Sequence, residues 1–465
     1  MRRFGIGGPV CGAALAAAAL VLSVGPGLTA AVTIEAALAA AYNNNPTLNA
    51  QRAAARATDE KVPQALSGYR PQILGNADVG DLWTRTKVSP SGKISTATTY
   101  PRGVGITTRQ TIYNGFITVN QTRSAEAQVF AARETLRNTE QNTLLDAVTA
   151  YMNVLRDTAL VELQKQNREA VRELLRATRD RFNVGEVTRT DVAQAESRLA
   201  AAESALSAAE ANLSASRAVF ARVIGEDPGK LAPGRPIEHL LPASMDLALA
   251  AGFTQHPAIA AARYGVDAAS LQVKVAEGAL LPTVTLETSV QHRYDLASTV
   301  EMQTAAQIVG RLTVPIFQGG IEYSRIREAK ETLGQRRLEV DVARDQVRAA
   351  VVQSWGLHQA ARFQVEAAQA QVRATEIALN GVREEARVGQ RTTLDVLNAQ
   401  AEVVTARSAL VTAQRDRVVA SYSLLAGMGR LSVAELKLNV AAYNPATHYN
   451  QVRDVWFGVR TPDGR

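Results

Sequence analysis

The sequence of 465 residues predicts an α+β membrane protein that is built from two internal structural repeats. Three observations support this prediction. The same landmarks occur twice in the same order, each half contains segments in which apolar and polar residues alternate, and each half continues into a long stretch without proline. Alternation with period two is typical of strands with one apolar face, and repeated landmarks are typical of duplicated architectures.

The N-terminal stretch is predicted to be a secretory signal peptide over residues 1–31. Arg2 and Arg3 precede an apolar run, and small residues follow, with cleavage expected after Ala30 or Ala31. The apolar run is shorter than the roughly 20 residues of a transmembrane helix. Cys11, the only cysteine, lies in this segment, so we expect no disulfide and no cysteine-ligated metal in the mature chain.

The first repeat is predicted over residues 32–225 and the second over residues 246–429. Two landmark pairs are separated by 211 residues, Asn45-Pro46 with His256-Pro257 and Pro71 with Pro282. Later pairs are separated by 204 residues: Gly115 with Gly319, Gly185 with Gly389, Asp191 with Asp395, and Gly225 with Gly429. The length change is confined to one interval, which indicates a loop tip.

Each repeat opens with a helix that leads to Pro71 or Pro282, and a β-hairpin follows at about 72–113 or 283–316. In the second hairpin, apolar Val284, Leu286 and Val290 alternate with polar residues such as Glu287. Alternating runs of about 10 residues are the weak signature of a membrane β-barrel. A soluble hairpin with one buried face is the alternative, and the signal peptide and long helices favour the barrel.

Long helices complete each repeat. Residues 116–182 and 321–387 contain no proline, and a helix of that length is about 100 Å long. Glycine turns near residues 185 and 389 then lead into return helices, so each half ends in a helical hairpin. Leu199, Leu206 and Leu213 recur every seven residues on the first return helix, as a coiled-coil seam requires.

The remaining segments are predicted to be connectors. Residues 226–245 are rich in proline and glycine, which indicates a non-helical connector, and residues 430–465 form a C-terminal segment. The formal charge of +7 is distributed along helices without a basic cluster, so no nucleic-acid partner is expected. The five histidines show no ligand spacing. We therefore expect no metal, no cofactor and no enzymatic activity.

Four strands cannot close a barrel on their own. In a membrane, the unpaired backbone groups at the two sheet edges have no water to bond to. Several copies must then share one barrel. Two copies give eight strands with a filled interior, whereas three give twelve and leave an open bore; the sequence favours three.

The chain resembles the TolC family of outer-membrane channels. The resemblance rests on the paired NP and HP helices, the proline-strand-hairpin-glycine segments, and the tips NVGEVTRTDV and RVGQRTTLDVLNA. Tyr443–Gly458 resembles members that serve type I secretion. The resemblance implies a TolC-like homotrimer with a 12-stranded β-barrel, four strands per protomer, in the outer membrane. A long α-helical coiled-coil barrel continues it into the periplasm, with an equatorial collar formed by residues 226–245 and the C-terminal segment.

The resemblance also implies roles at the helical tips. Asp395 would form a cation-favouring ring at the pore constriction, and Asn398 stands where the family usually has a second acid. Arg391 would link its hairpin to the neighbouring one through Thr190 and Asp191, as a gate latch. The family's supporting tyrosine falls at Ala386. The alternatives are an early-helix carboxylate for Asp395 and a solvated arginine for Arg391.

The exposed tips are expected to dock a periplasmic adaptor (membrane fusion protein) of an inner-membrane ABC or RND transporter. The docking residues are Val184, Gly185, Glu186, Val187, Thr188, Val388, Gly389, Gln390 and Thr392. The resulting interpretation is a passive exit duct through periplasm and outer membrane for toxic small molecules or secreted proteins. The alternatives are a periplasmic coiled-coil adaptor, which needs a compact β-domain between its two arms, and a soluble scaffold without a channel.

Overall fold

The computed structural model describes residues 31–87 and 89–464. The predicted signal peptide lies outside the described residues, apart from Ala31. The first half contains α1 (Ile34–Asn44), α2 (Pro46–Asp59), α3 (Lys61–Leu66), β1 (Gln72–Val79), β2 (Leu82–Lys87), β3 (Ile94–Thr99), β4 (Arg102–Asn114), α4 (Ile117–Asn183) and α5 (Arg189–Ile224). The second half contains α6 (Met245–Gln255), α7 (Pro257–Gly278), β5 (Thr283–Ala297), β6 (Val300–Thr313), α8 (Ile321–Arg387) and α9 (Thr393–Gly427), and α10 (Pro445–Val452) follows.

The helix breaks at the paired prolines are capped in the same way in both halves. The Asn45 side chain accepts hydrogen bonds from the backbone N–H groups of Thr47 and Leu48 at 2.9 and 3.2 Å. His256 Nδ1 accepts one from the backbone N–H of Ala258 at 3.2 Å. Both helices begin at the proline that follows the cap. Proline has no backbone N–H, and at the first position of a helix that N–H would have no partner within the helix. His256 therefore caps the start of α7 as Asn45 caps the start of α2.

The largest core lies where the two halves meet, midway along α4. Tyr151 on α4 is fully buried there, and burial raises the pKa of its hydroxyl to about 12. This hydroxyl donates to the carbonyl oxygens of Val32 and Ala232, at 2.8 and 2.6 Å. Val32 also forms a parallel bridge with Leu231. The beginning of the described chain and the connector are thus held against the long helix by the same side chain.

Four of the six described strands form one antiparallel sheet in the order β1-β4-β5-β6. Cross-strand partners share a face, so the register sorts the residues into two sets. One face carries Asp78, Arg109, Glu287 and Arg293 together with glutamine, serine and threonine. The opposite face carries mainly apolar residues, with Arg102, Thr108, Gln110 and His292 among them; the apolar ones are Ile73, Val79, Val104, Ile106, Val284, Leu286, Val290, Ile308 and Leu312. The predicted alternation is therefore confirmed, and most of these apolar side chains are exposed in the single chain.

The two hairpins differ from the expected pairing in detail. The first is not one continuous ladder, because β2 and β3 form a separate two-stranded sheet. Gly80 and Pro101 join at the bend, where the Gly80 N–H donates to the Pro101 carbonyl at 2.8 Å. The extra length of the first repeat falls in this outer hairpin. The second hairpin ends at Thr313 rather than near residue 316, so Val314 and Ile316, which the predicted hairpin includes, lie beyond the strand.

The long helices α4 and α8 have 67 residues each, which corresponds to about 100 Å. Each packs along its return helix, α5 or α9. On α5, Leu206 is buried, and Leu199 and Leu213 pack against buried clusters, as the heptad spacing predicts. Among the residues that the structure describes, no helix is long and apolar enough to cross a membrane.

Candidate functional site

Both helical hairpins turn at a glycine that the backbone conformation requires. Gly185 and Gly389 have φ angles of 83° and 80°, in the left-handed region that residues with a side chain rarely adopt. The next residue in each tip closes the same bond, Glu186 N–H to the Arg181 carbonyl and Gln390 N–H to the Glu385 carbonyl, both at 2.9 Å. This is the usual glycine-terminated helix end. Both hairpins need this glycine-containing turn, which explains why the tip sequence occurs twice.

Each return helix then begins with a capping box. The Thr188 N–H donates to Asp191 Oδ2 at 2.9 Å, and the Asp191 N–H donates to Thr188 Oγ1 at 3.4 Å. The same two bonds join Thr392 and Asp395, at 3.0 and 3.2 Å. A reciprocal pair of this kind satisfies backbone donors that the first helical turn leaves free. Asp191 and Asp395 are therefore equivalent in local structure.

Asp395 is the third residue of α9. The early-helix alternative thus describes its place in the single chain. The hydrogen bonds from the Thr392 backbone and hydroxyl hold the pKa of the Asp395 carboxyl below its usual range, and those of Thr188 do the same for Asp191. Within one chain, the carboxylate is ionised and partly exposed near the tip, which is the state that a cation-favouring ring needs.

Arg391 contacts its own tip in this structure. Its Nε donates to Glu385 Oε2 at 2.8 Å, and both side chains are about half exposed. Thr190 and Asp191, the predicted latch partners, are not among its contacts within the chain. Asp191 is instead engaged by Thr188. The latch to a neighbouring hairpin stays a prediction, and Glu385 is an intrachain competitor for Arg391 that sequence reasoning missed.

Asn398 joins the two hairpins of one chain. Its Oδ1 accepts a hydrogen bond from Arg198 Nη2 on α5 at 2.9 Å. Directly beside it, Leu397 is buried in a cluster with Val171, Leu175 and Ala195. The Asn398 amide carries no charge. Its hydrogen bond to Arg198 links the two hairpins within the single chain. The sequence offered no signal for this contact, because Arg198 is 200 residues away.

A cleft of about 750 Å³ separates the two hairpins next to the tips. Val171, Leu174 and Thr178 line it from α4, and Arg383 and Arg387 line it from α8. Glu186 and Thr393, next to the two turns, also line it. The cleft is therefore lined by both apolar and charged side chains.

The polar face of the sheet is lined with ion pairs. Arg109 and Arg311 both reach Glu287, at 2.9 and 3.6 Å, and Arg293 pairs with Asp78. Charged pairs on one strand face and aliphatic side chains on the other are what a membrane barrel with a water-filled interior requires. A sheet of this kind, open at both edges and continuous with long helical hairpins, defines an outer-membrane channel component.

Comparison with known proteins agrees with this class. The model of the outer membrane efflux protein family matches residues 37–226 and 253–430, so the chain belongs to that family. It is 46% identical to the outer membrane efflux protein BepC of Brucella suis over 435 residues, 93% of each protein. It is 25% identical to the outer membrane protein TolC of Escherichia coli over 423 residues, 87% of this chain and 84% of TolC.

The fold is shared with solved channels. The crystal structure of the Campylobacter jejuni CmeC outer membrane channel matches with a TM-score of 0.76 at 16% identity, over 90% of this chain and 89% of that chain. The resemblance to the TolC family and the predicted α+β fold are confirmed. The protein is an outer-membrane channel protein with a periplasmic helical domain, and the family consists of channels rather than enzymes.

Proposed function

We propose that three copies of this chain form one duct through the outer membrane and periplasm. The observation that carries the proposal is the two-faced sheet with unpaired outer edges at β1 and β6. Those edges need partners in lipid, and three four-stranded sheets close a twelve-stranded barrel with an open bore.

An apolar stripe on α8 supports association of the helical parts. In the single chain, this long helix exposes large hydrophobic side chains along its length: Leu338, Val342, Val352, Leu357, Phe363 and Ile377. Except for Leu357, they project to one side at 3.6 residues per turn. In a closed helical barrel, a neighbouring protomer would cover this stripe.

The test is reconstitution of the purified protein. Static light scattering in detergent is expected to give three chains per particle, and planar bilayers are expected to show ion-conducting channels. As a matched variant, Phe363→Glu places a charge on the exposed α8 stripe and is expected to weaken trimers without altering the strands. A monomer that does not conduct ions refutes the proposal.

Docking to partners is the second part of the proposed function. The tips and the cleft beside them would receive the hairpin of a periplasmic adaptor, which connects the duct to an energised ABC or RND transporter in the inner membrane. Cysteines at Val184 and Val388 are expected to crosslink to the adaptor in intact cells. The control is a cysteine at Thr96, which is exposed on the β2–β3 hairpin and should not crosslink to the adaptor. Equal crosslinking at all three positions contradicts docking at the tips.

The proposed cargo is toxic small molecules, because the 46% identical relative BepC is described as an efflux protein. Export of unfolded secreted proteins is the second candidate, favoured by the resemblance of Tyr443–Gly458 to type I secretion members. Deletion of the gene separates the two. Drug hypersensitivity with an unchanged secreted proteome supports efflux, and loss of specific secreted proteins with unchanged sensitivity supports secretion.

A further inference from the structure

The C-terminal segment ends in an exposed aromatic stretch at the base of the sheet. Residues Arg453–Arg460, named here the aromatic tail, follow α10. Trp456, Phe457 and Val459 are 63%, 90% and 100% exposed. Large apolar side chains in consecutive positions are rarely left in water without a function, so this tail requires an explanation that the duct alone does not supply.

The helix before the tail is firmly held. His448 Nδ1 lies 3.0 Å from Asp59 Oδ2, and both side chains are largely buried. The Arg133 guanidinium lies 5.2 Å from the ring centre of Tyr449, and Val452 is buried. These contacts fix α10 against α2 and α4, so the tail leaves the helical body from a defined place.

The tail is attached to the residue from which the barrel begins. Arg70 Nη1 donates to the Val455 carbonyl at 2.7 Å, and the Arg70 guanidinium lies 4.9 Å from the Trp456 ring centre. Only Pro71 separates Arg70 from β1. The tail is therefore placed at the periplasmic end of the strands, where the lipid-facing surface starts, and not at the mid-height collar that was expected for the whole of residues 430–465.

The surface next to this place is apolar and exposed. Ile73 near the start of β1 and Leu312 near the end of β6 lie on the lipid-facing side of the sheet. Ile316 and Phe317, just past β6, are 91% and 76% exposed. The tail thus shares the level of the strand ends, where tryptophan and other aromatics are enriched in membrane proteins.

We infer that the aromatic tail is an interfacial anchor that inserts into the periplasmic leaflet of the outer membrane. Its aromatic rings and Val459 enter the boundary between headgroups and acyl chains, and Arg70, Arg453 and Arg460 face the phosphate groups. Tryptophan prefers this boundary because its ring system is apolar and its indole N–H is polar, phenylalanine adds apolar area, and arginine binds phosphate with paired hydrogen bonds. The inference rests on the outer-membrane location of the strands.

The tail would fix the height of the helical body relative to the membrane. Because α10 packs on α2 and α4, a membrane contact at Trp456 and Phe457 resists tilting of the periplasmic part under load from a transporter. The occupant is phospholipid rather than a neighbouring protomer, since the tail is continuous with the lipid-facing side of the sheet.

Depth-dependent quenching of single-tryptophan variants tests the anchor. The chain has three tryptophans. Trp83→Phe with Trp355→Phe leaves Trp456, and Trp83→Phe with Trp456→Phe leaves Trp355, which packs against the central core. Full-length protein is reconstituted into phosphatidylcholine vesicles brominated either near the top of the acyl chain or near its methyl end.

Trp456 emission is expected to fall about twofold with the shallow bromines and less with the deep ones, as for an interfacial ring. Trp355 emission should be unchanged. If the bromines do not quench Trp456, the inference is wrong. This holds both when the aqueous quencher acrylamide reaches Trp456 and when a neighbouring protomer shields it. Conductance of the same variants in planar bilayers reports the duct separately, so a conducting channel with an unquenched Trp456 refutes only the anchor.

Discussion

Replacing Asp395 by asparagine separates its two candidate roles. The capping bonds of Asp395 match those of Asp191 to within 0.2 Å, with 3.0 against 2.9 Å for the threonine N–H and 3.2 against 3.4 Å for the aspartate N–H. Asparagine keeps an acceptor oxygen for the cap and removes the charge. Asp395→Asn and Asp191→Asn therefore have equal consequences for the helices and differ only in what they do to the conduit.

In the proposed trimer, Asp395→Asn changes three carboxylates around the axis to none. We expect block of the channel by a multivalent cation to weaken about tenfold or more, because every carboxylate of the ring attracts the same ion at short range. Asp191→Asn keeps the three Asp395 carboxylates, so the block should persist, and a change in its conductance alone would report the predicted latch to Arg391.

The assay is single-channel recording in planar bilayers with a titration of hexaamminecobalt on the periplasmic side. Circular dichroism of both variants checks that the helices are intact. Equal block in wild type and both variants, or equal weakening in both variants, means that Asp395 acts only as a helix cap. Either result refutes a carboxylate ring at the constriction.

The remaining predictions concern the latch, the helix entry and the core. Arg391→Ser is expected to increase single-channel conductance by loosening the closed tip, whereas Glu385→Ala, which frees Arg391 for the neighbouring hairpin, should not; unchanged conductance in Arg391→Ser removes this arginine from the gate. Asn45→Ala removes a cap and leaves a buried carbonyl without its 2.8 Å bond, so it should lower the free energy of unfolding by about 2–4 kcal/mol. Denaturant titration measures it, and Asn44→Ala is the exposed control. Burial raises the pKa of the Glu140 carboxyl above its ordinary 4.5, so the folded protein favours the protonated form. The stability that this protonated carboxyl contributes is fully present below pH 4.5 and is lost as the pH rises through the raised pKa. Glu140→Gln should therefore gain thermal stability relative to wild type from pH 4 to 7, and a constant difference across that range would contradict this.

Local features of the fold could be predicted from the sequence because their causes lie within a few residues. The glycine at each tip is needed for a left-handed turn, and the threonine and aspartate that follow it satisfy the first turn of a helix. The caps at Asn45 and His256 follow from the proline that comes next. In the strands, alternation alone determines which side chains share a face.

Long-range contacts at the candidate site could not be predicted in the same way. Arg198 meets Asn398 because two separate hairpins pack side by side, and Glu385 meets Arg391 because the turn folds back on itself. The separate β2–β3 sheet depends on the bend between Gly80 and Pro101. None of these contacts has a periodicity or a motif that reports it.

The sequence by itself predicted two repeats of one plan, and it determined strands with an apolar and a polar side and helices that end in matched tips. These properties follow from hydrophobic period, turn chemistry and capping, which act over one or two turns of chain. Only the tertiary structure decided that Asn398 crosslinks the hairpins and that the C-terminal tail lies at Arg70. Those outcomes depend on how distant segments pack, because a contact between residues hundreds of positions apart exists only after the whole chain has folded.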